Sequence, residues 1–252
     1  MSGHSKWSTI KRKKAASDAK RSKIFTRLLK EVQVAAKLGG GNPDGNPRLK
    51  AAIQTAKANS VPADNIERAI KRGTGDLEGV DYTEITYEGY GPGGVAILIK
   101  ALTDNKNRTV AEVRHALTKC GGSLGGTNAV AHIFTDKGII TLPKSEISEE
   151  KIFDLALDAG AEDIEAEDEF WKVTTSVQDF DNVRSVLEGV TSNFEAEIQP
   201  IPSTTVKVCG KEAQQLLKLL DMLDDLDDVQ QVIANFDIDD SELEAAAQEG
   251  AR

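Results

Sequence analysis

Between Lys20 and Leu38 the apolar residues Ile24, Phe25, Leu28, Leu29, Val32, Ala35 and Ala36 recur at the spacing of one helix face. Lys20, Lys23, Arg27, Lys30 and Lys37 fall on the opposite face. Gly39-Gly40-Gly41 ends this helix, and Asn42-Pro43-Asp44-Gly45 reads as a turn. Asn46 is placed to cap a second helix, with Pro47 at its first position and Leu49, Ala52, Ile53 and Ala56 as its stripe. Pro62 opens a third helix that carries Ile66, Ala69 and Ile70, and Gly73 is expected to stop it. Packed by these stripes, the three helices make a small domain with its lysines and arginines outside. Residues 1–20 show no clear period and read as an arm that orders partly on binding.

After the polar linker 76–81 the period changes from helical to alternating. Residues 84–88 read as a strand, Gly89–Gly94 as a turn and Val95–Leu102 as a buried strand. A helix is expected over Asn107–Lys119, a helix stop and turn over Gly121–Gly126, and a strand near Val130–Phe134. Residues 138–200 then alternate as strand, helix, strand, strand, helix, strand, the ferredoxin-like order. Beyond them the pattern predicts a strand over Thr205–Val208, a Leu-rich helix and a strand near Val229–Phe236. Alone these cannot make a domain; added to the elements before residue 135 they complete a second set. The expected fold class is therefore α+β: a helical N-terminal domain followed by two ferredoxin-like domains, one inserted into the other. Expected boundaries are 1–78 for the helical domain, 79–135 plus 204–240 for the middle domain, 136–203 for the insert, and 241–252 for an acidic tail.

Charge sharpens this picture. The chain carries 31 Lys+Arg and 41 Asp+Glu, but residues 1–78 hold 17 basic and 7 acidic residues, leaving 14 basic and 34 acidic for the rest. A cationic front joined to an anionic body points to a polyanion-binding module. No apolar run approaches the roughly 18–20 residues of a membrane helix. The stretch Met1–Trp7 lacks the apolar core of a signal peptide, so the expected location is the cytoplasm.

The candidate nucleic-acid contacts are Lys6, Lys11, Arg12, Lys13 and Lys14 in the arm and Lys20, Lys23, Arg27 and Lys30 on the first helix. Their ammonium and guanidinium groups can neutralise phosphates and release counterions; a solvated helix face is the plainer alternative. Trp7 lies between Lys6 and Lys11, where it can stack on an unpaired base or anchor the arm. Arg108 stands near a helix start, where anions bind, although capping by Asn105 or Asn107 accounts for that loop more simply. The glycine stretch comes after a helix and precedes a strand, the reverse of a phosphate loop.

Cys120 and Cys209 supply neither a disulfide framework nor a zinc site, and His4, His115 and His132 show no metal-ligand spacing. The acidic pairs Asp224-Asp225 and Asp227-Asp228 read as a solvated helix end. Nothing in the pattern supports an enzyme, a cofactor, a metal or a small-molecule substrate, and the chain is taken as a monomer.

Several stretches carry a resemblance. Gly3–Trp7, Ala36–Gly41, Asn46–Leu49, Tyr87–Gly94, Asn107–His115 and Lys119–Gly122 closely resemble the YebC family over nearly the whole chain. The resemblance implies three domains, helical first and α+β thereafter. Bacterial members are classed as DNA-binding transcriptional regulators, and the mitochondrial member activates translation of a cytochrome oxidase subunit. The family is also similar to a translation factor that acts on ribosomes stalled at proline-rich stretches. Where relatives carry Gly-Ser-Val after the glycine loop, this chain has Thr127-Asn128-Ala129-Val130. The resemblance leaves two expected partners: structured RNA of the ribosome, or duplex DNA. The lack of an obvious helix-turn-helix and the acidic body favour RNA.

Overall fold

The computed structural model describes residues 18–239 except 168 and 192, together with 241–243, with side chains from residue 22 onward. The chain divides into two compact units, Met1–Ala131 with Thr205–Arg252, and His132–Thr204.

In the first unit, α1 (Asp18–Gly39), α2 (Pro47–Ala58) and α3 (Ala63–Thr74) pack around Val32, Ala35, Ala36, Leu49, Ala56 and Ile66. Both α2 and α3 pack chiefly on α1. Asn46 ties the first two helices together, as its buried side chain faces two ways. Its Oδ1 accepts from Leu49 N at 3.1 Å, and its Nδ2 donates to Ala35 O at 2.8 Å and Gly40 O at 2.9 Å. The expected stop at Gly73 is displaced to Gly75, whose φ of +88° closes α3. Gly73 serves contact instead: a Cβ there would stand 2.3 Å from Gln33 O on α1, so only glycine admits this approach.

The rest of this unit is a four-stranded antiparallel sheet. Its strands are β1 (Thr83–Tyr90), β2 (Ala96–Thr103), β3 (Ser123–Leu124) and β9 (Val229–Ala234), ordered β3-β1-β2-β9. The third strand thus lies inside the glycine stretch, where the sequence predicts only a turn. Gly122 permits it, because a Cβ would fall 2.5 Å from Tyr90 O. No strand forms at Val130, and Phe134 begins a strand of the other unit. Two helices, α4 (Lys106–Lys119) and α7 (Gly210–Asp224), cover one sheet face through Val113, Leu117, Leu216 and Leu220 against Ile97, Ile99 and Val232. Burying each such side chain contributes roughly 1.5–3 kcal/mol. Two short strands, β8 (Val206–Lys207) and β10 (Phe236–Asp237), pair in parallel as a separate ladder. The expected single strand at 229–236 breaks at Asn235, whose side-chain oxygen accepts from Ala96 N at 2.7 Å.

Residue alternation puts Glu88 and Tyr90 on the other face of β1. The Glu88 carboxylate accepts from the backbone N–H groups of Asn128 and Val130, both at 2.7 Å, and of Ala131 at 2.8 Å. The Tyr90 hydroxyl donates to Ala129 O at 2.9 Å. The segment after the glycine stretch is therefore held by side chains rather than by a strand ladder.

The second unit comprises β4 (Phe134–Pro143), α5 (Glu149–Asp158), β5 (Ala161–Ala166), β6 (Phe170–Thr175), α6 (Phe180–Glu188) and β7 (Glu195–Pro202). Its antiparallel order β5-β6-β4-β7 is the ferredoxin-like arrangement the sequence predicts. Its core gathers Ile140, Leu142, Ile152, Val173, Val183 and Leu187 around Trp171, which is 5% exposed. The Trp171 indole N–H donates to Ile147 O at 3.1 Å, and its ring meets Phe153 edge-on. The first unit is connected differently: counted along the chain, its strands stand third-first-second-fourth, against second-third-first-fourth in the second unit, since β1 and β2 form a hairpin before the first helix of the sheet.

Candidate nucleic-acid interface

Spaced by four and three residues, Lys23, Arg27 and Lys30 form one stripe along α1, as the sequence predicts. The stripe does not face open solvent throughout. It meets the segment where α7 ends and the chain turns into β9. Lys23 Nζ donates to Asp225 O at 2.8 Å and lies 3.5 Å from its carboxylate. The Arg27 guanidinium donates to Asp224 O. Lys30 Nζ donates to Asp227 O and to Asp228 Oδ1, both at 2.9 Å, and sits 5.2 Å above the Tyr82 ring. The carbonyls of Asp224 and Asp225 stand at the C-terminal end of α7 and carry the negative end of its dipole, so cations belong there. The expectation that the lysines and arginines of the bundle stand outside therefore fails at Lys30, which is 8% exposed.

Asp228 overturns the reading of the acidic pairs as a solvated helix end. Its side chain is 3% exposed. Besides Lys30, its carboxylate accepts from Arg108 at 2.7 Å, Thr109 Oγ1 at 2.8 Å and Thr103 Oγ1 at 3.2 Å. Burial pushes its pKa upward, but donors from Arg108, Lys30 and Thr109 outweigh that effect and hold it at about 2. Arg108 also pairs with Asp104 at 2.7 Å, and the hydrogen bonds to the two carboxylates raise its pKa above the ordinary arginine value. Asn105 caps α4 by accepting from Arg108 N at 3.1 Å, so both Asn105 capping and anion pairing by Arg108 occur, the anion being the protein's own.

Ser22, Lys23, Arg27, Tyr82, Arg108 and Asp225 line part of a cleft of about 800 Å³ beside this network. Of the other sequence candidates, Lys6, Trp7, Lys11, Arg12, Lys13 and Lys14 lie outside the described residues, as does the side chain of Lys20. Sequence reasoning missed Asp228, Thr103, Thr109, Tyr82 and Glu88. One signal could have marked Asp228: it immediately precedes the apolar run Val229–Ala234, which places it at the mouth of a buried strand.

Cys120 is buried against Met222, and burial pushes its thiol pKa up, away from nucleophilic use, while Cys209 is exposed. Among the described residues no group of three or more His, Cys, Asp or Glu could hold a metal, and no helix is long and apolar enough to cross a membrane.

Comparison with known proteins covers nearly the same span. Residues 5–76 match the model of the TACO1/YebC protein N-terminal domain, and residues 82–236 that of the TACO1/YebC second and third domain. A probable transcriptional regulatory protein of Geobacter sulfurreducens is 58% identical over 245 residues, covering 97% of this chain and 99% of that one. One of Chlorobaculum parvum is 54% identical over 251 residues, covering 99% and 100%. The crystal structure of a conserved hypothetical protein from Aquifex aeolicus superposes with a TM-score of 0.80 at 47% identity, covering 88% of this chain and 93% of that one.

Proposed function

This chain belongs to the TACO1/YebC family, and from that premise we propose that it is a cytoplasmic, nucleic-acid-binding regulator of gene expression that works without catalysis. The observation that carries the reading is the segregation of charge, 17 basic against 7 acidic residues over 1–78 and 14 against 34 beyond. The arm supplies the first contacts: Lys6, Lys11, Arg12, Lys13, Lys14 and Lys20 neutralise phosphates, and Trp7 stacks on an unpaired base. The body repels polyanions, which confines the grip to the front of the molecule.

The finer reading is a translation factor that acts as a monomer on the ribosome at stalled, proline-rich sequences. It is supported by the packing of α2 and α3. They are joined by the short connection 59–62, yet each lies chiefly on α1, unlike the paired helices of a DNA-reading helix-turn-helix. A second reading, a DNA-binding transcriptional regulator, is favoured by the name its relatives carry.

Sedimentation with ribosomes and with chromosomal DNA, at matched salt, separates the two. The protein is expected to travel with ribosomes. Partition onto DNA would favour the transcriptional reading, and binding to neither would defeat both.

A further inference from the structure

At about 1.5 Å of rise per residue, Lys23, Arg27 and Lys30 stand roughly 6 and 4.5 Å apart along α1. Each of them is bonded to oxygen atoms of one short segment, Asp224 to Asp228. These acceptors are carbonyl and carboxylate oxygens in a row, the same chemistry that a phosphate backbone offers to a cationic helix face.

The two ends of this contact differ. Lys30 and Asp228 are withdrawn from solvent, with side chains 9% and 3% exposed. Lys23 and Asp225 are open, at 43% and 70%. An exposed pair of this kind is weak and is screened by salt, whereas a buried one is not. Between them, Arg27 is only partly used: it donates to Asp224 O, while its buried Nε has no hydrogen-bond partner. Asp225 and Asp227 are themselves exposed. The contact is therefore firm at Lys30 and exchangeable at Lys23 and Arg27.

We propose that the segment 224–227 is an internal stand-in for phosphate: it occupies Lys23 and Arg27 until a nucleic-acid backbone displaces it, while Lys30 and Asp228 stay joined as the pivot. The inference rests on the reading of the chain as a nucleic-acid binder. It adds a competition within the protein. Weak polyanions meet an arm alone, and only a partner that engages the arm strongly recruits the α1 stripe as well. Because the contest is between like acceptors, its outcome depends on local phosphate density rather than base sequence.

The test is fluorescence-anisotropy titration of the full chain with a labelled single-stranded RNA. Asp225→Asn with Asp227→Asn removes two exposed carboxylates and keeps the carbonyls. Glu149→Gln with Glu150→Gln, in the first turn of α5, makes the same change in net charge and serves as the control. The first variant is expected to bind about two- to fivefold tighter than the unaltered protein, the range that exposed ion pairs carry, and the control not to match it. The gain should vanish when Lys23→Ala and Arg27→Ala are added. No gain, an equal gain in the control, or a gain that survives loss of Lys23 and Arg27 would each overturn the competition while leaving the nucleic-acid reading intact. If the unaltered protein binds neither this RNA nor duplex DNA, that reading falls, and the inference falls with it.

Discussion

The Lys30 ammonium meets the Asp228 carboxylate at 2.9 Å, joining two residues 198 positions apart with both side chains nearly out of solvent. The helical bundle is fastened to the sheet here by charge, and removing either partner leaves the other charge buried. Asp228→Ala or Lys30→Met is therefore expected to destabilise the first unit by about 3–5 kcal/mol. Denaturant unfolding monitored by far-UV circular dichroism would measure it. A change under about 1 kcal/mol would mean that the remaining donors or water fully compensate.

Asp228 also makes stability depend on acid. Its pKa in the fold is about 2, below its ordinary value near 4. A group depressed in this way contributes stability that is fully present above the unfolded value. That stability is lost as pH falls from about 4 toward 2. The unaltered protein should lose stability more steeply across this window than Asp228→Asn does, in urea midpoints taken at several pH values. Parallel profiles would show that other carboxylates carry the acid sensitivity.

Glu88 predicts a local effect. Its carboxylate accepts three backbone N–H groups, those of Asn128, Val130 and Ala131. Glu88→Ala orphans these donors at a cost of about 1–3 kcal/mol each where they stay dry. Hydrogen exchange at the three amides should accelerate before exchange in the second unit changes. Unaltered protection at Val130 would contradict the assignment.

The unit His132–Thr204 closes its own sheet and core, with Trp171 at the centre. Expressed alone it should melt cooperatively, with a loss of near-UV tryptophan signal at the same temperature as far-UV signal. A fragment of residues 82–134 should not, because α7 and β9, which complete its core, lie beyond Thr205. A cooperative melt of that fragment would undo the reading of the insert.

Trp7 gives a direct probe of the arm. Trp171 is buried and hydrogen-bonded in the second unit, so its emission should not respond to RNA. Saturable quenching by looped or single-stranded RNA, but not by duplex DNA, is expected if Trp7 stacks. Trp7→Ala should then weaken RNA binding by about 1–3 kcal/mol. Blue-shifted Trp7 emission before any RNA is added would identify it as an anchor instead.

Much of the fold is legible in the residues because the signals involved are local. The stripe Ile24, Leu28, Val32 and Ala35 defines α1 by periodicity, Asn46-Pro47 marks the start of α2, and six alternating elements announce the ferredoxin-like unit in its observed order. Burial of one face per element suffices to produce these patterns. Close approaches are less legible. Gly73 reads as a helix stop and Gly122 as a turn, since a glycine in sequence does not reveal whether it serves torsion or contact. The charges are legible least of all. Lys23, Arg27 and Lys30 are identifiable as a cationic stripe from spacing alone. Whether that stripe meets water, phosphate or the protein's own aspartates depends on which distant residues arrive beside it. Asp228 looks like its acidic neighbours in the sequence, and only the strand it precedes carries it into the interior. There burial demands partners, and Lys30, Arg108 and Thr109 supply them. Amphipathic pattern determined the elements; long-range packing decided which charges remain for a partner, because electrostatic pairing depends on distance and burial, and neither is written in local order.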